Sequence, residues 1–277
     1  MTRSSAGGTG PSPENPRAAH RLLAVALPPL PEIRRGDDLA RHVVAAWRTL
    51  SAEEPLLAPE AGDVLVITQK VVSKAEGALV DLRSVTPRPE AIAFAERWER
   101  DPRQVEVVLR EAAEVVRMEH GVLITRTRHG FVCANGGVDA SNVPPDSVTI
   151  LPDDPDRSAR ELRTRVAELL GLSLEEAPAI IVSDSFGRPW RLGITDVALG
   201  VAGFGPLDDL RGRPDAGGRV MHATVVAVAD EIAAAAELAA GKTSGRPVVL
   251  VRGATLPPGD GSVAGDVVMP RQQDLFG

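Results

Sequence analysis

Hydrophobic residues recur along this sequence with two different spacings, which predict strands and helices in turn. Short apolar runs bounded by glycine, proline or charged residues are typical of buried strands. Such runs occupy residues 21–27, 62–68, 121–126, 130–134, 147–151, 178–182, 193–203 and 247–252. Apolar positions three or four residues apart predict amphipathic helices. These helices cover residues 37–50, 89–100, 102–117, 155–171 and 219–240.

Local signals support several of these elements. Asp37 or Asp38 stands where a helix N-cap is expected, just before the first predicted helix. Residues 121–126 and 130–134 are close enough in the chain to pair as neighbouring strands. The mixture of strands and helices indicates an α/β or α+β protein, and it does not fix a strand order.

The two ends of the chain differ from the middle. Residues 1–20 are rich in Ser, Gly, Pro and Thr and have no apolar core, which predicts a disordered leader rather than a targeting peptide. Residues 21–255 carry the predicted elements and form the expected domain. Residues 256–277 have a high Pro and Gly content, which predicts an extended tail. No stretch reaches the roughly 18 apolar residues of a membrane span.

Composition narrows the possible functions. The chain has 277 residues, a formal net charge of −7 and a pI near 5.4, which argues against a nucleic-acid-binding protein. Its one cysteine, Cys133, excludes an internal disulfide and fits a reducing cytoplasm. The five histidines are scattered, so we expect any metal to be a hard ion held by oxygen atoms.

Lys74 and Glu76 lie in the segment V-V-S-K-A-E-G, just after the predicted strand 62–68. A lysine beyond a strand end can reach a phosphate as a point charge. A solvated lysine in a turn is the simpler interpretation, and spacing alone favours it.

The segment N-G-G-V-D-A-S-N, residues 135–142, combines two glycines with ligand-capable side chains. Glycine lets the backbone approach a ligand closely. Asp139 is a candidate metal ligand, and Asn142 offers both a donor and an acceptor. A simple turn between strands explains the segment equally well.

The segment I-I-V-S-D-S-F-G-R-P-W-R, residues 180–191, places polar residues after an apolar strand. Ligands of open α/β sheets tend to lie beyond the carboxyl ends of strands. Asp184 could hold Mg²⁺ or Mn²⁺ there, while Arg188 and Arg191 could neutralise phosphate oxygens. Carboxylates from two segments, together with lysine and arginine, are what phosphoryl chemistry needs.

The segment Gly241-Lys242-Thr243-Ser244 looks at first like a P-loop. That motif needs another glycine five residues before its Gly-Lys pair, where this chain has Ala236. It also follows a strand, whereas a helix is predicted here. A loop that contacts phosphate through Gly241–Gly245 and a helix C-cap at Gly241 both remain open.

Six segments, taken in order, resemble the coenzyme F420-0:γ-glutamyl ligase family. They are L-P-E-I with G-D-D-L near 30–39, G-D-V-L-V-I with V-V-S-K-A-E-G, G-V-D-A-S-N-V at 137–143, D-S-F-G-R-P-W-R-L-G-I-T-D-V-A at 184–198, A-D-E-I-A-A-A-A-E-L at 229–238, and V-V-L-V-R-G at 248–253. The resemblance covers about residues 22–255. Several ordered motifs with compatible spacing are more specific than any one of them.

The resemblance implies an α+β fold of two intertwined subdomains with mixed sheets, assembled as a cytoplasmic homodimer. It implies a ligase that adds L-glutamate to coenzyme F420-0, and to F420-1, through γ-linked amide bonds. In this scheme GTP activates a substrate carboxylate as an acyl phosphate, which the amine of glutamate then attacks. A divalent ion, Mg²⁺ or Mn²⁺, is required, and K⁺ is an additional candidate.

The resemblance also assigns roles to residues. The expected catalytic residues are Lys74, Asp184, Arg188 and Arg191, and the expected metal ligands are Asp139, Asp184 and Ser185. The expected GTP-binding residues are Leu30, Pro31, Glu32, Ile33, Gln69, Lys70, Lys74, Asn142, Gly241, Lys242, Thr243, Ser244 and Gly245. Because the substrates are anionic and the chain is net negative, we expect Lys74, Arg188, Arg191 and Lys242 to form a local positive pocket.

The chain departs from the family pattern at several places. Gln69 and Lys70 stand where the family usually has Ser followed by Thr or Lys. The loop 241–247 lacks an acidic residue often found there, and Arg246 adds a cation instead. The tail resembles the junction that leads into a flavin-dependent reductase domain in two-domain relatives. We therefore expect a single-domain form without FMN or reductase activity.

Three other functions stay open at this point. A paralogous ligase could join an amino acid to a different carboxylate. A metal-dependent phosphohydrolase could use the same pair, Asp139 and Asp184. A nucleotide-binding module without catalysis is disfavoured because Asp139, Asp184 and Ser185 are all present.

Overall fold

Within residues 20–274, the part of the chain that the computed structural model describes, the chain forms twelve strands and six α-helices. The strands are β1 (Leu23–Ala26), β2 (Val64–Thr68), β3 (Leu79–Asp81), β4 (Ala112–Glu119), β5 (Val122–Thr127), β6 (Val132–Ala134), β7 (Ser147–Thr149), β8 (Ala179–Arg188), β9 (Arg191–Ala202), β10 (Asp208–Asp209), β11 (Val225–Val226) and β12 (Val248–Arg252). The helices are α1 (Leu39–Glu53), α2 (Gln69–Glu76), α3 (Pro89–Trp98), α4 (Pro102–Glu111), α5 (Pro155–Leu170) and α6 (Val228–Ala240). The predicted leader lies outside the described residues, apart from His20.

A five-stranded sheet in the order β1-β12-β2-β8-β9 forms the centre of the fold. Strands β2 and β8 are parallel, and the other neighbouring strands are antiparallel. Consequently β1, β2 and β8 all point toward the same edge of the sheet, where β9 and β12 begin. Connections on that edge can therefore meet around one site.

Both faces of this sheet are buried, because successive side chains of a strand point to opposite sides. On β2, Leu65 and Ile67 join the core with α1, α2 and α5, whereas Val64 and Val66 join the core with α6. The apolar runs predicted as buried strands are therefore confirmed at the centre of the molecule.

A smaller part of the chain packs beside the central sheet. Strands β4, β5 and β6 form an antiparallel sheet, and β3 pairs with β7. Helices α3 and α4 pack on each other and on this region through two small apolar clusters that contain Phe94, Leu123 and Val148. The predicted pairing of 121–126 with 130–134 is confirmed by the β5–β6 ladder. Several separate sheets with segregated helices are consistent with the predicted α+β class.

The predicted helix 102–117 is too long. Helix α4 ends at Glu111, and β4 follows directly. His120 and Gly121 both have positive φ, the geometry of a tight hairpin turn, and this turn pairs β4 with β5. The tertiary pairing of valine-rich strands therefore overrides the helix propensity of the alanine and glutamate residues at this point.

The predicted helix 219–240 begins later than expected. Helix α6 starts at Val228, while Val225–Val226 forms a short ribbon with Asp208–Asp209. Asp230 accepts a hydrogen bond from the Ala198 amide at 2.9 Å, whereas Glu231 is exposed. The alanine-rich part of the prediction is confirmed, and the segment before it belongs to the ribbon.

Two further expectations are corrected by packing. The strand predicted to end at residue 182 continues to Arg188, because the residues after Val182 pair with β9. The tail predicted to be extended forms a short helical turn at Val263–Val267, and Val263 is buried in the core. None of the helices in residues 20–274 has the combined length and apolar character needed to cross a membrane.

Candidate active site

A cavity of about 760 Å³ opens at the edge of the central sheet where β1, β2 and β8 point. Its wall includes the segment after β1, the start of α2, the loop after β6, the middle of β8 and the loop before β12. The amide of Thr68 donates to the carbonyl of Pro247 at 3.0 Å, which ties the last of these loops to the end of β2. Segments that are distant in sequence therefore share one space.

Five carboxylates line this cavity, and three of them belong to aspartates. Asp184 is on β8, Asp196 is on β9 opposite Ser185, and Asp139 follows the turn after β6. The pKa of Asp184 is raised to about 7. Burial is the largest cause, and the neighbouring charges of Asp196 and Asp139 add to it. A cation at this point would make ionisation of all three aspartates less costly.

All three lysines of the chain lie in the same cavity. Lys70, Lys74 and Lys242 are the lysines among 31 basic residues, and the remainder are arginines. A lysine ammonium is a compact point charge on a flexible stem, whereas arginine presents a planar fork. The three lysine ammonium groups of the chain therefore share one cavity. Arg246 is a fourth cation in the wall.

Lys70 holds the loop that carries Asp139. Its Nζ lies 2.7 Å from Asp139 Oδ2 and donates to Ser141 Oγ at 2.5 Å. The amide of Ser141 also donates to Asp139 Oδ1 at 2.6 Å. Burial would raise the pKa of Asp139, but the hydrogen bonds from Lys70 and Ser141 outweigh it and lower the pKa. Asp139 is therefore fixed in place as an anion.

Lys242 lies beside the β8–β9 pair. Its Nζ donates to Ser185 Oγ and lies 3.2 Å from Asp196 Oδ1. The Ser185 hydroxyl donates to Asp196 Oδ1 at 2.5 Å, and the Ser183 hydroxyl donates to Asp196 Oδ2 at 3.2 Å. The loop before β12 is thus attached to the carboxylate side of the cavity through one ammonium.

Lys74 lies on α2, where its residue is only 6% exposed, and its Nζ bonds Glu32 Oε1 at 2.6 Å. The interpretation of Lys74 as a solvated turn lysine is therefore wrong, because the residues after β2 continue directly into a helix. Ile33 is buried in the core and anchors the segment that carries Glu32. The carboxylate of Glu32 faces the cavity and is mostly exposed.

Most of the site residues predicted from the sequence line this cavity. They are Leu30, Pro31, Glu32, Ile33, Lys70, Lys74, Asp139, Asn142, Asp184, Ser185, Gly241, Lys242, Thr243 and Gly245. Gln69 is instead buried behind the wall, where its Oε1 accepts from Ser73 Oγ at 2.8 Å. Ser244 supports the turn of its own loop, since its Oγ accepts from the Arg246 amide at 3.1 Å.

Arg188 and Arg191 are not part of the cavity wall. They lie at the exposed tip of the β8–β9 hairpin, where the guanidinium of Arg188 donates to the Leu192 carbonyl at 3.3 Å. The reason is the length of the β8–β9 hairpin, which carries both arginines past the cavity. Only Lys74 and Lys242 of the four cations predicted to form a positive pocket line the cavity. Lys70 and Arg246 add two further cations, and five carboxylates share the same wall.

Asp196 is the main residue that sequence reasoning did not assign. It is a buried carboxylate within the strand run G-I-T-D-V-A, and its two oxygens accept from Ser183 and Ser185. A lone acidic residue in an otherwise apolar strand was the available signal. Its partners became visible only once β9 was paired with β8.

The donor atoms suit a hard divalent ion. Asp139, Asp184 and Ser185 offer two carboxylates and a hydroxyl, which Mg²⁺ and Mn²⁺ prefer to nitrogen or sulfur. Among residues 20–274, no group of three or more His, Cys, Asp or Glu side chains is arranged to hold a metal ion. Any ion here would therefore rely on few protein ligands and on oxygen atoms of substrate or water, which is common for Mg²⁺.

The arrangement is chemically suited to phosphorylated, anionic substrates. Ammonium groups can offset phosphate charge, and the carboxylates can hold a hard ion beside it. The sequence profile of the family described as F420-0:Gamma-glutamyl ligase matches residues 29–253 of this chain. This range includes every cavity residue named above.

Similar proteins support the match. A protein of Methanopyrus kandleri named Coenzyme F420:L-glutamate ligase is 48% identical over 84% of this chain and 88% of its own length. Proteins of the same name from Methanothermobacter thermautotrophicus and Methanocaldococcus jannaschii are 43% and 41% identical, over 89% and 82% of this chain and 95% and 88% of their own lengths. The chain belongs to the F420-0:Gamma-glutamyl ligase family.

Proposed function

We propose that this protein is a GTP-dependent ligase that joins L-glutamate to coenzyme F420-0, and to F420-1, through γ-linked amide bonds. The observation that carries the proposal is the convergence of three aspartates and four cations in one cavity of a chain that belongs to this ligase family. GTP, glutamate and F420-0 are all anionic, so a chain of net charge −7 needs a cluster of cations at the site in order to bind them.

In the proposed reaction a carboxylate oxygen of F420-0 attacks the γ-phosphorus of GTP. The bond from that phosphorus to the bridging oxygen breaks, and GDP leaves with the electron pair. The amine of glutamate then attacks the acyl carbon, phosphate leaves with the electrons of the carbon–oxygen bond, and the amine loses a proton. Lys70, Lys74, Lys242 and Arg246 offset the negative charge that both steps place on phosphate oxygens.

Asp139, Asp184 and Ser185 would hold one Mg²⁺ or Mn²⁺. When bound, such an ion supplies positive charge to phosphate oxygens. Two observations support this assignment: the donor atoms are all oxygen, and the pKa of Asp184 is raised by burial beside two other carboxylates.

The nucleotide would lie between two segments of the wall. Leu30–Ile33 would contact the guanosine, with Asn142 beside it. The loop Gly241–Pro247 would close over the phosphates, and both Gly241 and Gly245 have the positive φ that lets the loop turn sharply.

Oxygen-18 in the F420-0 carboxylate tests the mechanism. An acyl phosphate transfers one labelled oxygen to inorganic phosphate, so the account predicts labelled phosphate whose release requires both F420-0 and glutamate. Unlabelled phosphate released without F420-0 would indicate a phosphohydrolase instead. Labelled phosphate with another carboxylic acid, and none with F420-0, would indicate a paralogous ligase.

A further inference from the structure

Three oxygen atoms surround the ammonium of Lys242. They are Ser185 Oγ, to which it donates, Asp196 Oδ1 at 3.2 Å and Glu237 Oε1 at 3.9 Å. We call these the Ser185 oxygen group. A hydroxyl with two carboxylates is also the kind of surrounding that a hard divalent ion prefers. Here the ammonium of Lys242 lies among these oxygen atoms.

Regular structure holds each member of this group. Ser185 and Asp196 are opposite each other in the β8–β9 ladder, and Glu237 lies in the last turn of α6. The amide of Gly241 donates to the Glu237 carbonyl at 2.8 Å and ends the helix just before Lys242. The lysine therefore enters the cavity from a fixed point.

The other two aspartates of the cavity, Asp139 and Asp184, differ in their ion pairs. Asp139 has its own ammonium, that of Lys70 at 2.7 Å. Among the ion pairs within residues 20–274, none involves Asp184. Two of the three aspartates are therefore paired with lysines, and Asp184 is the one whose charge an exchangeable cation would meet.

We propose that Lys242 is a built-in cation that takes the place of a second divalent ion, and that Asp196 is the positioning residue that keeps it beside Ser185. The inference rests on the proposed function and deepens it. The site then takes one exchangeable divalent ion, near Asp139 and Asp184. The second positive charge next to the transferred phosphoryl group is then always present, because it belongs to the protein.

Counting bound Mn²⁺ tests the proposal without any turnover. Free Mn²⁺ gives a solution electron paramagnetic resonance signal that bound Mn²⁺ loses, so a titration in the presence of GDP gives the number of ions per chain. Lys242→Met keeps the stem and removes both charge and donor. We expect this variant to bind one more Mn²⁺ per chain than the wild type.

Two variants serve as controls for the count. Lys242→Arg keeps a positive charge, and its count should equal that of the wild type. Adding Asp196→Asn to Lys242→Met should remove the extra ion, because the gained site would lose its nearest carboxylate. Lys242 is half-exposed in a loop, and circular dichroism checks that each variant is folded. An unchanged count in Lys242→Met would overturn the proposal, whether or not the wild type is an active ligase.

The anchoring role of Asp196 has a separate readout. Because the chain has three lysines, acetylation by an amine-reactive ester can be followed at Lys242 by peptide mass spectrometry. In Asp196→Asn the ammonium loses its ion pair, and we expect Lys242 to be acetylated several-fold faster while Lys74 keeps its wild-type rate. An equal rate at Lys242 in both proteins would reject the anchoring role. Ligase activity of the wild type, measured independently, decides the proposed function.

Discussion

At the scale of single residues, the cavity is organised by pairs of opposite charge. Lys70 pairs with Asp139, Lys74 with Glu32, and Lys242 with Asp196. Such pairs keep each side chain in place. In the proposed reaction the ammonium groups would turn to the phosphates of the nucleotide. Asp184 differs from these residues because burial, rather than a lysine, has the largest effect on its pKa.

Asp184→Asn tests the aspartate of the cavity wall that forms no ion pair within residues 20–274. The substitution changes volume little and removes the negative charge that would hold a divalent ion. We expect turnover to fall about a hundredfold or more, since each ~1.4 kcal/mol of lost transition-state stabilisation costs a factor of ten. Steady-state kinetics with circular dichroism as the folding check measures this. Wild-type turnover that still requires metal would remove Asp184 from the site.

Much of the site was predictable at this scale, and the reason is chemical. Asp139 and Asp184 stand in short motifs that follow predicted strands, so their residue types and positions indicated metal chemistry. The role of Lys74 was assigned by the family resemblance, because its spacing alone favoured a solvated turn. Asp196 and Arg246 join the site through strand pairing and loop closure, which a single sequence does not encode locally. Arg188 and Arg191 were misplaced because the length of β8 depends on its pairing with β9.

At the scale of elements, the spacing of hydrophobic residues predicted helices and strands reliably where the element packs on a large core. Helices α1 and α5 and the central strands appear close to where their patterns placed them. The pattern failed at 102–117 and 219–227, where alanine, valine and glutamate allow more than one structure. There the hairpin turn at His120–Gly121 and the ribbon with Asp208–Asp209 decide the outcome.

Helix α4 carries a buried ion-pair network that should make stability depend on pH. Glu106 accepts hydrogen bonds from Arg88 and Arg110 at 2.8–3.0 Å. Burial would raise the pKa of Glu106, but the hydrogen bonds from these arginines outweigh it and lower the pKa to about 2. The folded state thus holds its proton less tightly than the unfolded state does.

A group with a lowered pKa stabilises the fold above its ordinary pKa and loses that contribution as pH falls. We therefore expect the free energy of unfolding to decline as pH drops from about 4.5 to about 2. Glu106→Gln should flatten this decline and cost about 1–2 kcal/mol at neutral pH. Urea unfolding across pH measures both, with Glu96→Gln on the exposed face of α3 as control. An equal pH slope in wild type and Glu106→Gln would contradict the account.

At the scale of the whole molecule, the segment after β12 belongs to the fold. Asp156, at the start of α5, is buried and accepts from the amides of Val201, Val263 and Ala264 at 2.8–3.0 Å. One carboxylate thus joins a helix, the central sheet and the final segment. Asp274 then bonds Arg126 at 2.9 Å and attaches that segment to the smaller sheet.

Asp156→Ala tests this junction. Three buried amide groups would lose their acceptor, and we expect the free energy of unfolding to fall by about 3 kcal/mol or more. Asp215→Ala is a matched control, because Asp215 also accepts from backbone amides but lies in an exposed loop. Chemical denaturation compares the two. An equal loss of unfolding free energy in both variants would show that the buried junction stabilises the fold no more than an exposed loop contact does.

The proposed homodimer is also a property of the whole molecule. The β8–β9 hairpin extends beyond the sheet, and its tip presents Leu192, which is 99% exposed, next to Ile194. Leu192→Asp should weaken self-association at least tenfold by sedimentation velocity. Leu56→Asp is the control, because Leu56 is the same residue type and is 87% exposed but precedes β2 at the opposite edge of the sheet. A dimer unaffected by Leu192→Asp would exclude the hairpin tip from the interface.

The most direct test of the central claim is the mass of the product. Purified protein is mixed with GTP, Mn²⁺, L-glutamate and coenzyme F420-0, and the products are followed by mass spectrometry. The account predicts F420 species heavier by one or more glutamyl units, with one GDP formed for each unit added. GDP formed at the same rate without F420-0, and no heavier product, would contradict the account.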